Sequence, residues 1–231
     1  MTVSVVVATY GNQEWKVMAA NRAVPSAWRE NPDEVIVYHG DGTLAQARNH
    51  AANHTDHDWL LFLDGDDELA PGYLTAMRAA TDRHPLDEPR LYVPQVQYIR
   101  GRQVNRPQFP PEVNHRDGNW LVIGTVIPAW LFRKVGGFEE WPIYEDWALF
   151  ARMQDAGAVP VKVPDAVYVA HQRPGSRNRS SPPGERAYWH QRIGHSLWPD
   201  LYDQTTPEED DRQLLLTAGR IRKTTRRLVA S

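Results

Sequence analysis

The stretch Trp59-Leu60-Leu61-Phe62-Leu63-Asp64-Gly65-Asp66-Asp67-Glu68 constrains the fold more than any other. Five apolar residues run unbroken into four acids within five positions. A run with no polar alternation, ended by a Gly turn, predicts a strand buried on both faces, as in a parallel sheet flanked by helices. The acids then stand at the strand's carboxyl end, the edge where open α/β sheets bind ligands. Carboxylates crowded at one strand end repel each other unless a cation joins them. Hard oxygen donors in a chain without cysteine favour Mg²⁺ or Mn²⁺, ions that usually keep coordination positions open for substrate phosphates. Taken alone, the segment also fits a solvated acidic turn after a core strand.

Around this stretch the pattern alternates strand and helix. Thr2–Tyr10 is Val-rich and reads as a first buried strand ending at Ala8-Thr9-Tyr10-Gly11, where a polar and an aromatic residue fit either a nucleotide-base contact or a plain strand-to-helix turn with Tyr10 packed locally. Gln13–Ala27 predicts one helix, and Glu34–Tyr38 a second strand followed by the loop His39-Gly40-Asp41-Gly42-Thr43. Thr43 suits the N-cap of a helix over Leu44–Asn53, whose Arg48 is within reach of a diphosphate or simply on the surface. Pro71–Arg83 predicts a helix with Pro71 near its first turn, and Leu91–Val96 another strand. Three such units in order imply a parallel, right-handed α/β half over residues 1–100.

The character changes after residue 100. Arg100–Asn119 carries Pro107, Pro110 and Pro111 and reads as a loop or lid crossing to a second half, residues 101–190. A short helix is expected over Ala129–Val135, ended by Gly136-Gly137-Phe138, and another from Glu145 to Ala156, ended by Gly157. Pro160–Val169 is a last strand with His171 just beyond it. Gln172–Gly184 is rich in Pro, Gly, Ser and Arg and predicts a mobile loop. Residues 191–231 form a C-terminal extension with a helix over Pro207–Val229, acidic at its start and basic at its end. The cluster His54-Thr55-Asp56-His57-Asp58 precedes the buried strand at its amino end, opposite the ligand edge, and is discounted as a metal site.

A net charge of −3 provides no global attraction to nucleic acid. No apolar run approaches the length of a membrane span, and the apolar N-terminus lacks the basic flank of a secretory signal, so a cytoplasmic protein is expected.

In its ordered motifs the chain resembles a glycosyltransferase of the GT-A fold, most like the inverting group called family 2. The motifs are Val5-Val6-Val7-Ala8-Thr9-Tyr10, Ala47-Arg48-Asn49, Leu63-Asp64-Gly65-Asp66-Asp67, Gly136-Gly137-Phe138 and Glu145-Asp146-Trp147, spanning roughly residues 1–171. One departure is the turn after the second strand, where the family's Asp-Asp-Gly-Ser-like sequence is replaced by His39-Gly40-Asp41-Gly42-Thr43.

The resemblance implies an α/β, Rossmann-like, mostly parallel sheet flanked by helices, with a smaller acceptor-side lobe. It implies transfer of a sugar from a nucleoside-diphosphate sugar, with a UDP-sugar favoured, to a carbohydrate, lipid-linked or protein acceptor. Asp66 would be the main ligand of Mn²⁺ or Mg²⁺, joined by Asp64 and by His171. Ala8, Thr9, Tyr10, Asp41, Arg48, Asp64 and Gly65 would bind the nucleotide sugar, and Arg173 and Arg177 would hold its diphosphate. Asp146 would be the general base, with Glu145 and Trp147 on the acceptor side. Glu145 also fits a helix-start acid, and Trp147 a core residue. The competing functions are a nucleotidyltransferase, which would want a Gly-rich basic loop that Gly11-Asn12-Gln13-Glu14 does not provide, and an inert nucleotide- or sugar-binding module.

Overall fold

The computed structural model describes residues 1–173 and 183–201. Arg177, most of the expected loop Gln172–Gly184 and the expected helix Pro207–Val229 lie outside the described residues. Two compact units are present, one of Met1–Trp141 with Glu145–Gln172, the other holding Pro142–Tyr144, Arg173 and the described residues 183–201. The second carries helix α7 (Pro183–Leu197), in which Tyr188 meets Trp189 edge to face at 5.0 Å. No helix among the described residues is long and apolar enough to cross a membrane.

The first unit is an eight-stranded sheet flanked by helices, with strand order β2-β1-β3-β7-β5-β8-β4 and β6 paired to β5. Its strands are β1 (Val3–Tyr10), β2 (Glu34–Gly40), β3 (Trp59–Phe62), β4 (Glu68–Leu69), β5 (Arg90–Arg100), β6 (Gln103–Val104), β7 (Val126–Pro128) and β8 (Val159–His171). The expected α/β sheet is there, and its pairing is mixed. Parallel ladders join β1 to β2, β1 to β3 and β5 to β8; β7 enters reversed and pairs antiparallel with β3 and β5.

The unbroken apolar runs have the cause inferred from their pattern. Along β1, Val6 and Ala8 pack in one core cluster while Val3, Val5 and Val7 pack in another, so both faces are covered. On β3, Leu60 and Phe62 join the first cluster, and Trp59 and Leu61 the second. Helix α3 (Leu44–Ala52) turns Ala45, Ala47, Ala51 and Ala52 inward, small side chains that bring its axis close to the sheet. Thr43 and Gln46 close a capping box at its start, with Gln46 N donating to Thr43 Oγ1 at 3.2 Å and Thr43 N to Gln46 Oε1 at 3.1 Å.

Two expected helices are corrected. The single helix over Gln13–Ala27 is two, α1 (Gln13–Asn21) and α2 (Ala23–Arg29), broken at Arg22 with φ −128° and ψ −72°. The break swings Arg22 toward the acidic turn, where Nη1 donates to the Asp66 carbonyl at 2.8 Å. Helix α4 (Tyr73–Thr81) starts later than Pro71 because Gly72 takes a left-handed φ of 87°. The buried Glu30 carboxylate accepts from Gly72 N and Leu74 N, both at 3.2 Å, and so satisfies donors at the helix start.

Candidate active site

The acids after β3 sit at the edge where β1 and β3 also end. Gly65 is required there by space: a Cβ would stand 2.9 Å from Thr9 Cγ2 and 3.1 Å from Ala19 Cβ. The turn's backbone is tied by Arg22 at the Asp66 carbonyl and by Arg29 Nη2 at the Leu69 carbonyl, 2.6 Å away. The four acids do not behave alike. Asp67 points inward, accepting from the Tyr168 hydroxyl at 2.8 Å and from His171 N at 2.8 Å. Burial, reinforced by Asp64 and Asp66, pushes its carboxyl well above the usual range. The same Tyr168 hydroxyl accepts from Asp64 N at 3.3 Å, so the end of β8 is fastened to the turn.

Asp64 connects the turn to the second half of the sequence. Arg48 on α3 is 3 % exposed, and its guanidinium donates Nη2 to Asp64 Oδ1 at 2.6 Å and Nη1 to Glu145 Oε1 at 3.0 Å. The Phe138 ring covers it at 4.9 Å. A buried cation of this kind must be neutralised, and the two carboxylates do so. Next to it, Asn49 forms a reciprocal pair with Phe138. Its Nδ2 donates to the Phe138 carbonyl and its Oδ1 accepts from Phe138 N, both at 2.8 Å. Gly137, with φ 72°, passes so close that a Cβ would lie 2.6 Å from Asn49 Oδ1.

Helix α5 (Ala129–Lys134) leads into this Gly-Gly turn, and α6 (Glu145–Asp155) follows it. Asp146, in the first turn of α6, accepts from Trp147 N at 2.8 Å on Oδ1 and from Asn119 Nδ2 at 3.0 Å on Oδ2. It keeps part of its surface open, yet dense protein surrounds the carboxyl. Burial, with Glu145 and Asp64 adding negative charge, pushes it up to about 7 against the opposing pull of Trp147 N and Arg48.

The structure therefore brings Arg48, Asp64, Glu145 and Asp146 into one network. Arg48 is buried between acids rather than displayed on a helix surface. Glu145 faces Arg48, and Trp147 is 1 % exposed with its Nε1 donating to the His115 carbonyl at 2.7 Å. His171 is paired with Glu68, Nε2 to Oε1 at 2.8 Å. Among the described residues no group of three or more His, Asp or Glu is arranged to hold a metal ion, so Asp64, Asp66 and His171 do not form a three-ligand set. Asp64 and Asp66 are hard oxygen donors, and such a pair fits Mg²⁺ or Mn²⁺ completed by diphosphate oxygens and water. Thr9 on β1 is linked to His39 on β2, Oγ1 to Nδ1 at 2.9 Å, and Asp41 is exposed in the loop beyond. Arg173 follows β8 in the second unit. Asn119 and Tyr168 were not readable as site residues; lone polar or aromatic residues in loops and strands carry no motif.

This sheet, with its acid-bearing turn, has the GT-A fold. The model of Glycosyl transferase family 2 matches residues 21–135. No curated protein sequence matches the chain. Among solved structures, S. aureus TarS 1-349 in complex with UDP-GlcNAc is 18% identical with a TM-score of 0.59, covering 85% of this chain and 66% of that one. GalNAc-T7 with UDP, GalNAc and Mn²⁺ is 16% identical with a TM-score of 0.63, covering 87% of this chain and 48% of that one. The chain thus spans less than two thirds of the length of the structures it resembles.

Proposed function

We propose that the chain is an inverting glycosyltransferase that moves a sugar from a nucleoside-diphosphate sugar, a UDP-sugar by preference, to a hydroxyl of a carbohydrate, lipid-linked or protein acceptor. One observation carries the reading. Asp146, with its carboxyl pushed up to about 7, belongs to the same buried charge network as Asp64 of the acidic turn. A base of that strength is half ionised at neutral pH and strong enough to accept a hydroxyl proton as the acceptor attacks. In this reading the acceptor oxygen bonds to the anomeric carbon as the bond to the diphosphate oxygen breaks. The proton passes to Asp146, and a single displacement inverts the anomeric centre.

The donor lies along Ala8, Thr9, Tyr10, Asp41 and Gly65. Asp66 and Asp64 would hold Mn²⁺ or Mg²⁺, which when bound would supply Lewis-acid stabilisation of the diphosphate leaving group. The ligands named for the two neighbouring structures, UDP-GlcNAc in one and UDP, GalNAc and Mn²⁺ in the other, support this donor class. Glu145 and Trp147 act through Asp146, one by neutralising Arg48 and the other by anchoring α6.

The test is a panel of nucleotide sugars with Mn²⁺. A true donor stabilises the native state in proportion to its occupancy and releases nucleoside diphosphate when an acceptor is added. A panel in which no nucleotide sugar raises the melting temperature or releases nucleoside diphosphate would overturn the reading.

A further inference from the structure

The role of Asp146 as general base leaves open what aims its carboxylate, and the loop before β7 supplies an answer. Asn119 makes two hydrogen bonds at once. Its Oδ1 accepts from Leu121 N at 3.0 Å, and its Nδ2 donates to Asp146 Oδ2 at 3.0 Å. The amide cannot be reversed. With oxygen and nitrogen exchanged, the NH₂ would face a backbone donor and the oxygen would face a carboxylate. The residues that follow, Trp120 and Leu121, are 7% and 2% exposed, so the loop is fastened in the core at this point. On the other side of the carboxyl group, Oδ1 is held by Trp147 N at 2.8 Å. Each carboxylate oxygen has the capacity to accept two hydrogen bonds and here accepts one, so one acceptor site on each remains for an incoming hydroxyl, in a plane fixed from both ends.

We infer that Asn119 is a positioning residue for the base: its amide, oriented by Leu121 N–H, locks the Asp146 carboxylate in the rotation that presents its remaining lone pairs to the acceptor. The proposal rests on Asp146 being the base. The charged groups that also bear on that carboxylate are Glu145 beside it, Arg48 from α3 and Asp64 from the turn after β3. Asn119 is the neutral side-chain donor, alongside the backbone N–H of Trp147. It favours the ionised form without adding charge.

The discriminating variant is Asn119→Asp. It keeps the shape and the acceptor for Leu121 N–H, so the loop anchor survives, but it replaces the donor to Asp146 with a second carboxyl. Asn119→Ala removes both bonds. The measurement is the carboxyl ¹³C titration of Asp146 in the labelled full chain, its signal assigned by loss in Asp146→Asn. In the wild type the midpoint is expected at about 7. In Asn119→Ala it should rise by about 1 pH unit, the worth of one hydrogen bond to a charged group, and in Asn119→Asp further still. Nucleoside diphosphate release in the presence of acceptor should fall in both variants by roughly 10-fold or more while donor affinity is retained. Unmoved midpoints in both variants would overturn the role of Asn119, even with Asp146→Asn inactive. If Asp146→Asn instead turns over like the wild type, the base assignment itself fails, and the positioning role falls with it.

Discussion

Arg48 donates to Glu145 across 97 residues of sequence, Nη1 to Oε1 at 3.0 Å, while its other terminal nitrogen holds Asp64 at 2.6 Å. The acidic turn after β3 and the start of α6 are therefore one electrostatic unit, built around a guanidinium that water does not reach. A fork of donors can serve two carboxylates at once; a single ammonium serves them less well.

Removing that cation should be costly. Arg48→Met leaves Asp64 and Glu145 facing each other without a counter-charge and should destabilise the fold by about 3–5 kcal/mol. Arg48→Lys should lose less, since the charge remains but the fork does not. Urea unfolding reads both values. A midpoint for Arg48→Met equal to that of the wild type would show that the network is not structural.

The two glycines before Phe138 should respond differently to alanine. Both have a positive φ, 83° at Gly136 and 72° at Gly137. At Gly136 the nearest atom to an added Cβ is 3.9 Å away, so only the backbone cost of about 1–2 kcal/mol applies. At Gly137 the Cβ would strike Asn49 Oδ1 at 2.6 Å and Phe132 Cζ at 3.0 Å, breaking the Asn49–Phe138 pair as well. Gly137→Ala should cost more than Gly136→Ala by roughly 1–3 kcal/mol, measured by denaturant titration. Equal losses would contradict the clamp.

The motif-bearing parts of this arrangement were legible. Continuous apolar runs predict strands covered on both faces, and the two clusters that share the residues of β1 and β3 bear this out. Thr43 is expected as the N-cap of α3 and forms it. What local pattern cannot register is partnership at long range. Arg48 looks like a surface arginine until Asp64 and Glu145 arrive from other elements. The break at Arg22 fits Pro25, which stands in the first turn of α2 where its missing N–H leaves no intrahelical bond unmade, but the partner that Arg22 then meets, the Asp66 carbonyl, lies 44 residues away. His171 shows the same blindness, since its partner Glu68 is 103 residues distant.

Stability should depend on pH through Asp146. Its folded value of about 7 lies above the ordinary 3.8, so between these the folded chain holds a proton that the unfolded chain has released. Stability from this group is complete below the lower value, declines as pH rises, and is gone above about 7. Asp146→Asn removes the dependence. The variant should be more stable than the wild type at pH 8 by up to a few kcal/mol, at about 1.4 kcal/mol per pH unit, and the gap should close toward pH 4. A gap of the same size at both pH values would place its origin elsewhere.

Nucleoside diphosphate should bind more tightly with Mn²⁺ or Mg²⁺ than with chelator, and Asp66→Ala should remove most of the difference. Calorimetry with UDP in both conditions provides the comparison. Equal affinities would count against Asp66 and Asp64 as ion ligands.

The central claim is that Asp146 accepts the acceptor's proton, and Asp146→Asn tests it most directly. The substitution keeps size and most hydrogen bonding but removes the basic oxygen. The measurement is steady-state transfer, followed as nucleoside diphosphate release with acceptor, alongside donor affinity by calorimetry. Donor affinity should change little, and the transfer rate should fall by roughly 10²–10⁴-fold. Glu145→Gln, which keeps an acceptor for Arg48, should lose far less. Wild-type turnover by Asp146→Asn, with the donor bound equally well, would contradict the account.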